Sequence, residues 1–539
     1  MNELAPRPPG ATGTDYRKVT GAEKIRQAYA EYLHDESRLC ALGDAEGAAG
    51  GLGVIHFPTT AEEVAGAVRA ARRAGHRVAI SGARTGITGA AVPLNAEEII
   101  SLERIKPKPV ARRDEQGNWA VRVGAGTTVA ELTDALQHGL CEYPDGKPDH
   151  PVFYPVDTTE TSAQVGGTVA TNASGARTFS YGPTRRWVNW LKVVTPDGRI
   201  LELRRGDVLA DGHRLFYRRE DGSHAELHIP DLPMPGTKHT AGYHLRPGMD
   251  AIELFIGSEG TLGIVAEAEL RLAKKPANRL FLTQFVSGPD VALGLVRACK
   301  DHPRLSPLAL EYIGPRSMGL LRAMGRESAA YVEVARLPAD ARAALYVEVA
   351  FRDEEELDAI YAALGDVLAA EGVDPAHSWA GFTDRDMEEM KRLRHAVPET
   401  VNGIIGRRKS EVPELHKVGT DMAVPDESLG AMMKVYDERL EASGLDFVIF
   451  GHIGDGHLHV NILPKTTAEL AQAEALYADF AAEAVRLGGS VAAEHGIGRI
   501  KKRFLAIQYS EEDLAAMRAV KDTLDPAGTL NPGVLFDRR

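Results

Sequence analysis

Apolar and polar positions in the first half of the chain alternate in a strand, helix, strand rhythm. VIHF (54–57) reads as a buried strand, TTAEEVAGAVRAARRAG as a helix with an N-capping Thr and a closing Gly, and HRVAIS as the next strand. WAVRVGAGTTVAELTDALQHG repeats the scheme, a strand and then a capped helix. Residues 204–236 break the rhythm with clustered His, Arg, Asp and Pro, which predicts an inserted polar hairpin or surface loop to which no chemistry is assigned. From about residue 279 strands such as LFLTQFV and ALYVEVAF alternate with helices such as EEELDAIYAALGDVLAAEG, the pattern of a second, α+β domain. From about 425 come the helix DESLGAMMKVYDERLEASG, the β pair FVIFGHIGDGHLHVNILP, the helix TTAELAQAEALYADFAAEAVRLGG and the segment SVAAEHGIGRIKK.

Composition narrows the classes. The 539 residues are 44% hydrophobic and 26% charged, as in ordinary globular proteins, and no apolar run approaches the ~18 residues of a membrane span. Lys and Arg number 63 against 76 Asp and Glu, and the formal charge of −13 opposes nucleic-acid binding. Cys40, Cys141 and Cys299 are too few and too far apart for a disulfide framework or a thiolate-held iron–sulfur cluster. The first thirty residues lack the layout of a secretory signal, so a cytoplasmic location is the expectation, with peripheral association at the inner membrane left open.

The 54 glycines gather in a few segments. SGARTGITGAA follows a strand and spaces Gly82, Gly86 and Gly89 so that backbone amides can turn toward an anion. It is neither a Rossmann fingerprint nor a Walker loop. Three further stretches are dense in Gly, small hydroxyls and Asn: FYPVDTTETSAQVGGTVATNASGARTFSYG (153–182), LFIGSEGTLGIV (254–265) and DPAGTLNPG (525–533). Together the four segments resemble the FAD-binding fold of the vanillyl-alcohol oxidase and p-cresol methylhydroxylase (PCMH) superfamily, in the branch of the D-lactate, glycolate and D-2-hydroxyglutarate dehydrogenases.

The resemblance covers about residues 50 to 536 and implies an α+β fold: a two-subdomain PCMH-type FAD-binding domain (51–275), an α+β substrate or cap domain with an antiparallel sheet (276–490), and a C-terminal segment (491–539) returning to the flavin, with 1–50 a helical extension. It implies that Ser81, Gly82, Arg84, Thr85, Gly86, Thr88 and Gly89 wrap the FAD diphosphate, and that Pro155, Asp157, Gly166, Gly167, Asn172, Ser174 and Gly175 line ribityl and ring. Gly260, Ile264 and Val265 would form the adenine-side strand, and Asn531 the terminal flavin contact. The diphosphate loop has no His or Cys for covalent attachment, so the FAD is expected to be non-covalent.

GHIGDGHLHVN (451–461) reads as a hairpin. With Asp455-Gly456 as a two-residue turn, His452 pairs with His459, whose β-carbons would stand about 5 Å apart, close enough for both imidazoles to reach one cation. Alternation puts His457, His459 and Asn461 on one face and Leu458, Val460 and Ile462 in the core. In the family the matching His452, His459 and Glu494 bind a divalent metal; two imidazoles and a carboxylate suit zinc, manganese or ferrous iron. His495 matches the catalytic histidine. His457 is open between contacting substrate, supporting the metal ligands, and facing solvent in the turn. Arg394 matches the arginine on the substrate carboxylate and Lys417 is the expected second cation, while Arg407, Arg408 and Lys409 read as a solvated loop. Pro398 stands where the hydroxyglutarate enzymes carry a hydroxyl, which tilts the reading toward lactate or a similar small acid.

The resemblance thus implies oxidation of a D-2-hydroxy acid to the 2-oxo acid. Electrons would pass to an external acceptor, because the chain has no haem motif or cluster ligands: an electron-transfer flavoprotein, a quinone, a cytochrome, an iron–sulfur subunit or oxygen. A homodimer is left open. The alternatives are a D-2-hydroxyglutarate dehydrogenase, a redox-neutral FAD transferase of the alkylglycerone-phosphate synthase type, a non-catalytic flavin subunit, and a metallohydrolase that would leave the glycine-rich segments unexplained.

Overall fold

The computed structural model describes residues 2–8, 10, 16–41, 53–94, 97–327 and 337–537. Strands Val54–Phe57, Glu98–Ser101 and Val78–Ser81 pair in parallel, and Arg17–Thr20 adds an antiparallel edge. A second, antiparallel sheet runs in the order Ile200–Arg204, Val188–Val194, Ile264–Arg271, Trp119–Gly124, Val110–Arg113. Helix Ala61–Arg73 lies between the two. Thr60 caps it, and its buried face of Val64, Ala65, Ala67, Val68 and Ala71 is mostly small, which lets both sheets approach. Helix Val129–Gln137 is capped, as its sequence predicts, and the cap is a full capping box of Thr128 and Glu131.

The second domain is built on a seven-stranded sheet: Ser378–Gly381, Asn278–Val286, Ala343–Phe351, Pro307–Ile313, Phe447–His452, His457–Ile462, Val418–Gly419, all antiparallel. The C-terminal segment crosses back to the first domain, where Val78 N donates to Thr529 O and Asn531 N to Val78 O. The polar insertion is the hairpin Arg214–Arg218 and His224–His228.

Several readings are corrected. Residues 1–50, expected to be helical, hold helix Ala22–Ala28 but also strand Glu3–Leu4, which pairs with the open edge of the inserted hairpin, and strand Arg17–Thr20; residues 11–15 and 42–50 lie outside the described set. Arg407–Lys409 are in the last turns of helix Asp384–Glu411, not in a loop, and Arg408 pairs with Asp446. That helix docks on the sheet through Leu393, Ala396, Val397, Val401 and Ile405. Pro398 sits inside it and removes the amide that would bond the carbonyl of Arg394.

The histidine hairpin forms, two residues out of the predicted register. His452 pairs with His457, Phe450 with His459, and the chain reverses through Ile453–Gly456. Ile453 is fully buried, so the turn lengthens to carry it inward. Gly456 has φ 64°, and a β-carbon there would meet Val424 O at 2.0 Å, so only glycine closes this turn. Leu458, Val460 and Ile462 face the core as alternation requires.

Candidate active site

A cavity of about 460 Å³ lies between the two domains. Gly82, Arg84, Thr85, Gly86, Thr88, Gly166, Gly167, Ser174, Gly260, Ile264, Val265 and Asn531 line it. Arg394, Lys417, His452, His459, Glu494 and His495 line the same space. The structure therefore gathers residues separated by more than four hundred positions into one space.

Six of the expected FAD contacts build the wall from behind instead of lining it. Ser81 is fully buried at a strand end, and Gly89 packs on Leu39 and Ser37. Pro155 is buried. Asp157 accepts from Arg177 N, and Gly175 lies so close to Asp157 that a β-carbon would sit 1.9 Å from its carbonyl oxygen. Asn172 ends helix Val165–Thr171 in the left-handed region, and its side chain accepts from Arg185 N. Asn531 is doubly anchored, accepting from Ile80 N at 2.9 Å and donating to Glu259 O at 2.8 Å. Arg84 is also left-handed, at φ 63°, with its guanidinium 4.2 Å above the Tyr32 ring.

The wall fits a flavin nucleotide. Gly86 and Gly167 line the cavity, and among the described residues a β-carbon on either would meet nothing within 4 Å beyond its own stretch of chain, so each leaves backbone open to a bound group.

Around Glu494, carboxylates and imidazoles interlock. Glu494 Oε1 is 3.3 Å from His459 Nε2 and 3.5 Å from His495 Nε2; its Oε2 is 3.5 Å from His452 Nε2, 3.9 Å from His457 Nδ1, 3.0 Å from Lys238 Nζ and 3.3 Å from Ser174 Oγ. Fully buried Asp421 orients the neighbours: it accepts from the backbone amides of Glu494 and His495, pairs with Lys501 at 2.7 Å, and faces His495 Nδ1 at 3.2 Å. Buried Glu311 joins two predicted site residues, meeting His452 Nδ1 at 2.6 Å and Arg394 at 2.9 Å. His457, for which a solvent-facing turn was one expectation, is fully buried in this cluster.

Electrostatics follow from the burial. Desolvation opposes charge on Glu311, but Arg394 and His452 outweigh it and hold the carboxyl down to about 2. Desolvation likewise pushes His452 down, yet Glu311 and Glu494 prevail and raise it to about 9. Burial wins at His495, lowering it to about 4 against the pull of Asp421. Burial also lowers Lys417, whose Nζ donates to Asn402 at 3.0 Å. The donors fit a divalent cation: His452, His457, His459 and Glu494 each present one ligand atom, all within 4.8 Å of one another, and among the described residues neither nitrogen of buried His457 has a hydrogen-bond partner.

Glu311, Asp421 and Lys238 were missed from sequence. Each had a faint signal, a lone charge in an otherwise apolar or small-residue run: PLALEYI, GTDMAVP and GTKHTAGY.

A glycine-walled cavity meeting an imidazole and carboxylate cluster across two domains defines a PCMH-type flavin oxidoreductase. Residues 53–204 match the family described as FAD binding domain, and residues 275–535 the family described as FAD linked oxidases, C-terminal domain. A D-2-hydroxyglutarate dehydrogenase of Xanthomonas citri pv. viticola is 31% identical over 490 residues, covering 90% of this chain and 89% of the relative. A D-lactate dehydrogenase of Archaeoglobus fulgidus is 28% identical over 488 residues, covering 89% and 90%. The solved structure of an alkyldihydroxyacetonephosphate synthase shares the fold, with a TM-score of 0.59 and 17% identity over 89% of this chain and 76% of that one. The chain belongs to the FAD-dependent D-2-hydroxyacid dehydrogenases of the FAD-linked oxidase family.

Proposed function

We propose that this dehydrogenase oxidises a small, lactate-like D-2-hydroxy acid to the 2-oxo acid, using a divalent metal held by His452, His459 and Glu494 as well as FAD, and passes the electrons to an external acceptor. The observation that carries the reading is the common cavity: His495, the metal donors and Arg394 open onto the same space as the glycine loops. When bound, the flavin supplies hydride acceptance and the cation supplies Lewis acidity toward the substrate oxygens.

The chain's own residues do the rest. With its Nδ1 proton held by Asp421, His495 presents Nε2 as a proton acceptor, and burial keeps it neutral at physiological pH. The hydroxyl proton passes to His495 as the α-hydrogen leaves with its electron pair, and the carbon–oxygen double bond of the product forms. Arg394, braced by Glu311, presents a planar guanidinium to the substrate carboxylate.

Pro398 lines the cavity one helical turn from Arg394 and offers no hydroxyl to a distal carboxylate, which supports the lactate-like choice. D-2-hydroxyglutarate is the second reading, favoured by Lys417, a further cation on the same wall. Anaerobic mixing of the purified protein with a panel of D- and L-2-hydroxy acids tests both. Bleaching of the flavin absorbance is expected with D-lactate, faster than with D-2-hydroxyglutarate, and not with L-lactate. The reverse order of the two D-acids would establish the second reading, and no bleaching by any acid would refute both.

A further inference from the structure

We infer that His457 is itself a metal ligand, so that the chain supplies three imidazoles and one carboxylate to the cation. This rests on the metal-dependent reading above and extends it by one donor.

The three histidines of the hairpin are built alike. His452 directs Nδ1 at the Glu311 carboxylate, 2.6 Å away, and Nε2 at Glu494. His459 directs Nδ1 at the carbonyl oxygen of Thr420, 3.3 Å away, and Nε2 at Glu494. His457 places Nε2 3.4 Å from Asp421 Oδ1 and Nδ1 3.9 Å from Glu494 Oε2. Each ring thus has one nitrogen toward an outer oxygen and the other toward a shared centre. At His452 and His459 a hydrogen-bonded outer acceptor holds the ring with its inner nitrogen aimed at the centre, as in protein imidazoles prepared for metals, and Asp421 stands at the matching place beside His457.

Hairpin register brings the third ring to the same centre. His452 is directly opposite His457, and His459 lies two residues on along the same face, so all three rings crowd together: the centroids of His457 and His459 are 4.4 Å apart and those of His452 and His457 5.4 Å. His457 is fully buried, and neither of its nitrogens meets hydrogen-bond geometry with any described residue. A buried imidazole so placed is costly unless something takes its lone pair. A cation among the three rings and Glu494 does so.

The chemistry of the site changes accordingly. Three protein donors leave a tetrahedral ion one open position; four fill it. A substrate binding through a carboxylate and an α-oxygen then needs an ion that accepts five or six ligands, which favours manganese or ferrous iron over zinc.

The test uses the flavin-loaded full chain, stripped with a chelator and reloaded with Co²⁺. X-ray absorption is expected to count three imidazoles on the ion in the wild type and two in His457→Asn. Competition against a chromophoric chelator is expected to show at least about tenfold weaker Co²⁺ binding in the variant, with flavin retention reporting the fold. Two imidazoles in the wild type, or equal affinity in a folded variant, would overturn the inference while leaving the metal-dependent reading intact. A wild type that takes up no Co²⁺ would overturn both. If His457→Asn does not fold, the wild-type imidazole count decides alone.

Discussion

Glu494→Gln is expected to release the divalent metal and to reduce turnover by about 10³–10⁴-fold, the loss of several kcal/mol of transition-state stabilisation, while FAD stays bound. Glu494 is the hub of the site: within 4 Å of its two oxygens lie four imidazoles, the ammonium of Lys238 and the hydroxyl of Ser174. Gln keeps the volume and can still meet Ser174, but it removes the one anion that the imidazoles share. Ala is the harsher change. It leaves the buried Lys238 with Asp455, 3.6 Å away, as its one carboxylate partner among the described residues, and a buried charge that loses its partner costs about 3–5 kcal/mol of stability. Metal analysis and the visible flavin spectrum of the purified variant separate metal loss from unfolding. Wild-type turnover in a metal-free Glu494→Gln protein would exclude a catalytic metal.

His495→Asn is expected to lower kcat by about 10²–10⁴-fold, the usual worth of a positioned general base, with metal content and FAD unchanged. The imidazole stacks on His459 at 5.5 Å without belonging to the four-donor set, and its Nδ1 is committed to Asp421. Asn can retain the Asp421 contact but has no basic nitrogen at the position of Nε2. Anaerobic flavin bleaching in H₂O and D₂O distinguishes the roles: when removal of the hydroxyl proton is impaired, the bleaching rate falls and its solvent isotope effect changes, while substrate affinity changes little. A variant that bleaches at the wild-type rate would assign the base elsewhere.

What was legible in the chain was local or repeated. The caps at Thr60 and Thr128 are set by residues within one turn, and both helices begin where the sequence places them. The hairpin strands could be read because alternation needs no distant partner, yet their register could not: Ile453 is drawn into a core made by other segments, and that burial lengthens the turn. Helix Asp384–Glu411 was obscured by Pro398 and by the charges at 407–409, and docking of its apolar face on the sheet overrides both. Of the site, the glycine loops and the histidines were visible because each belongs to a compact motif. Glu311, Asp421 and Lys238 arrive singly from three distant segments, and only the folded cluster shows that the charges compensate one another. Asn172, Asp157 and Gly175 were assigned to the flavin by the family resemblance; the fold adds that Asp157 and Asn172 brace the backbone of Arg177 and Arg185 and that Gly175 packs against Asp157.

The central claim is that a cation held by the imidazoles and Glu494 works with the flavin on one substrate. It is tested most directly by anaerobic addition of D-lactate to flavin-loaded protein stripped of divalent metal, before and after Mn²⁺ or Zn²⁺ is restored. The predicted result is a flavin that stays yellow in the stripped protein and bleaches once the ion returns. Bleaching at the same rate in the stripped and the reloaded protein would contradict it.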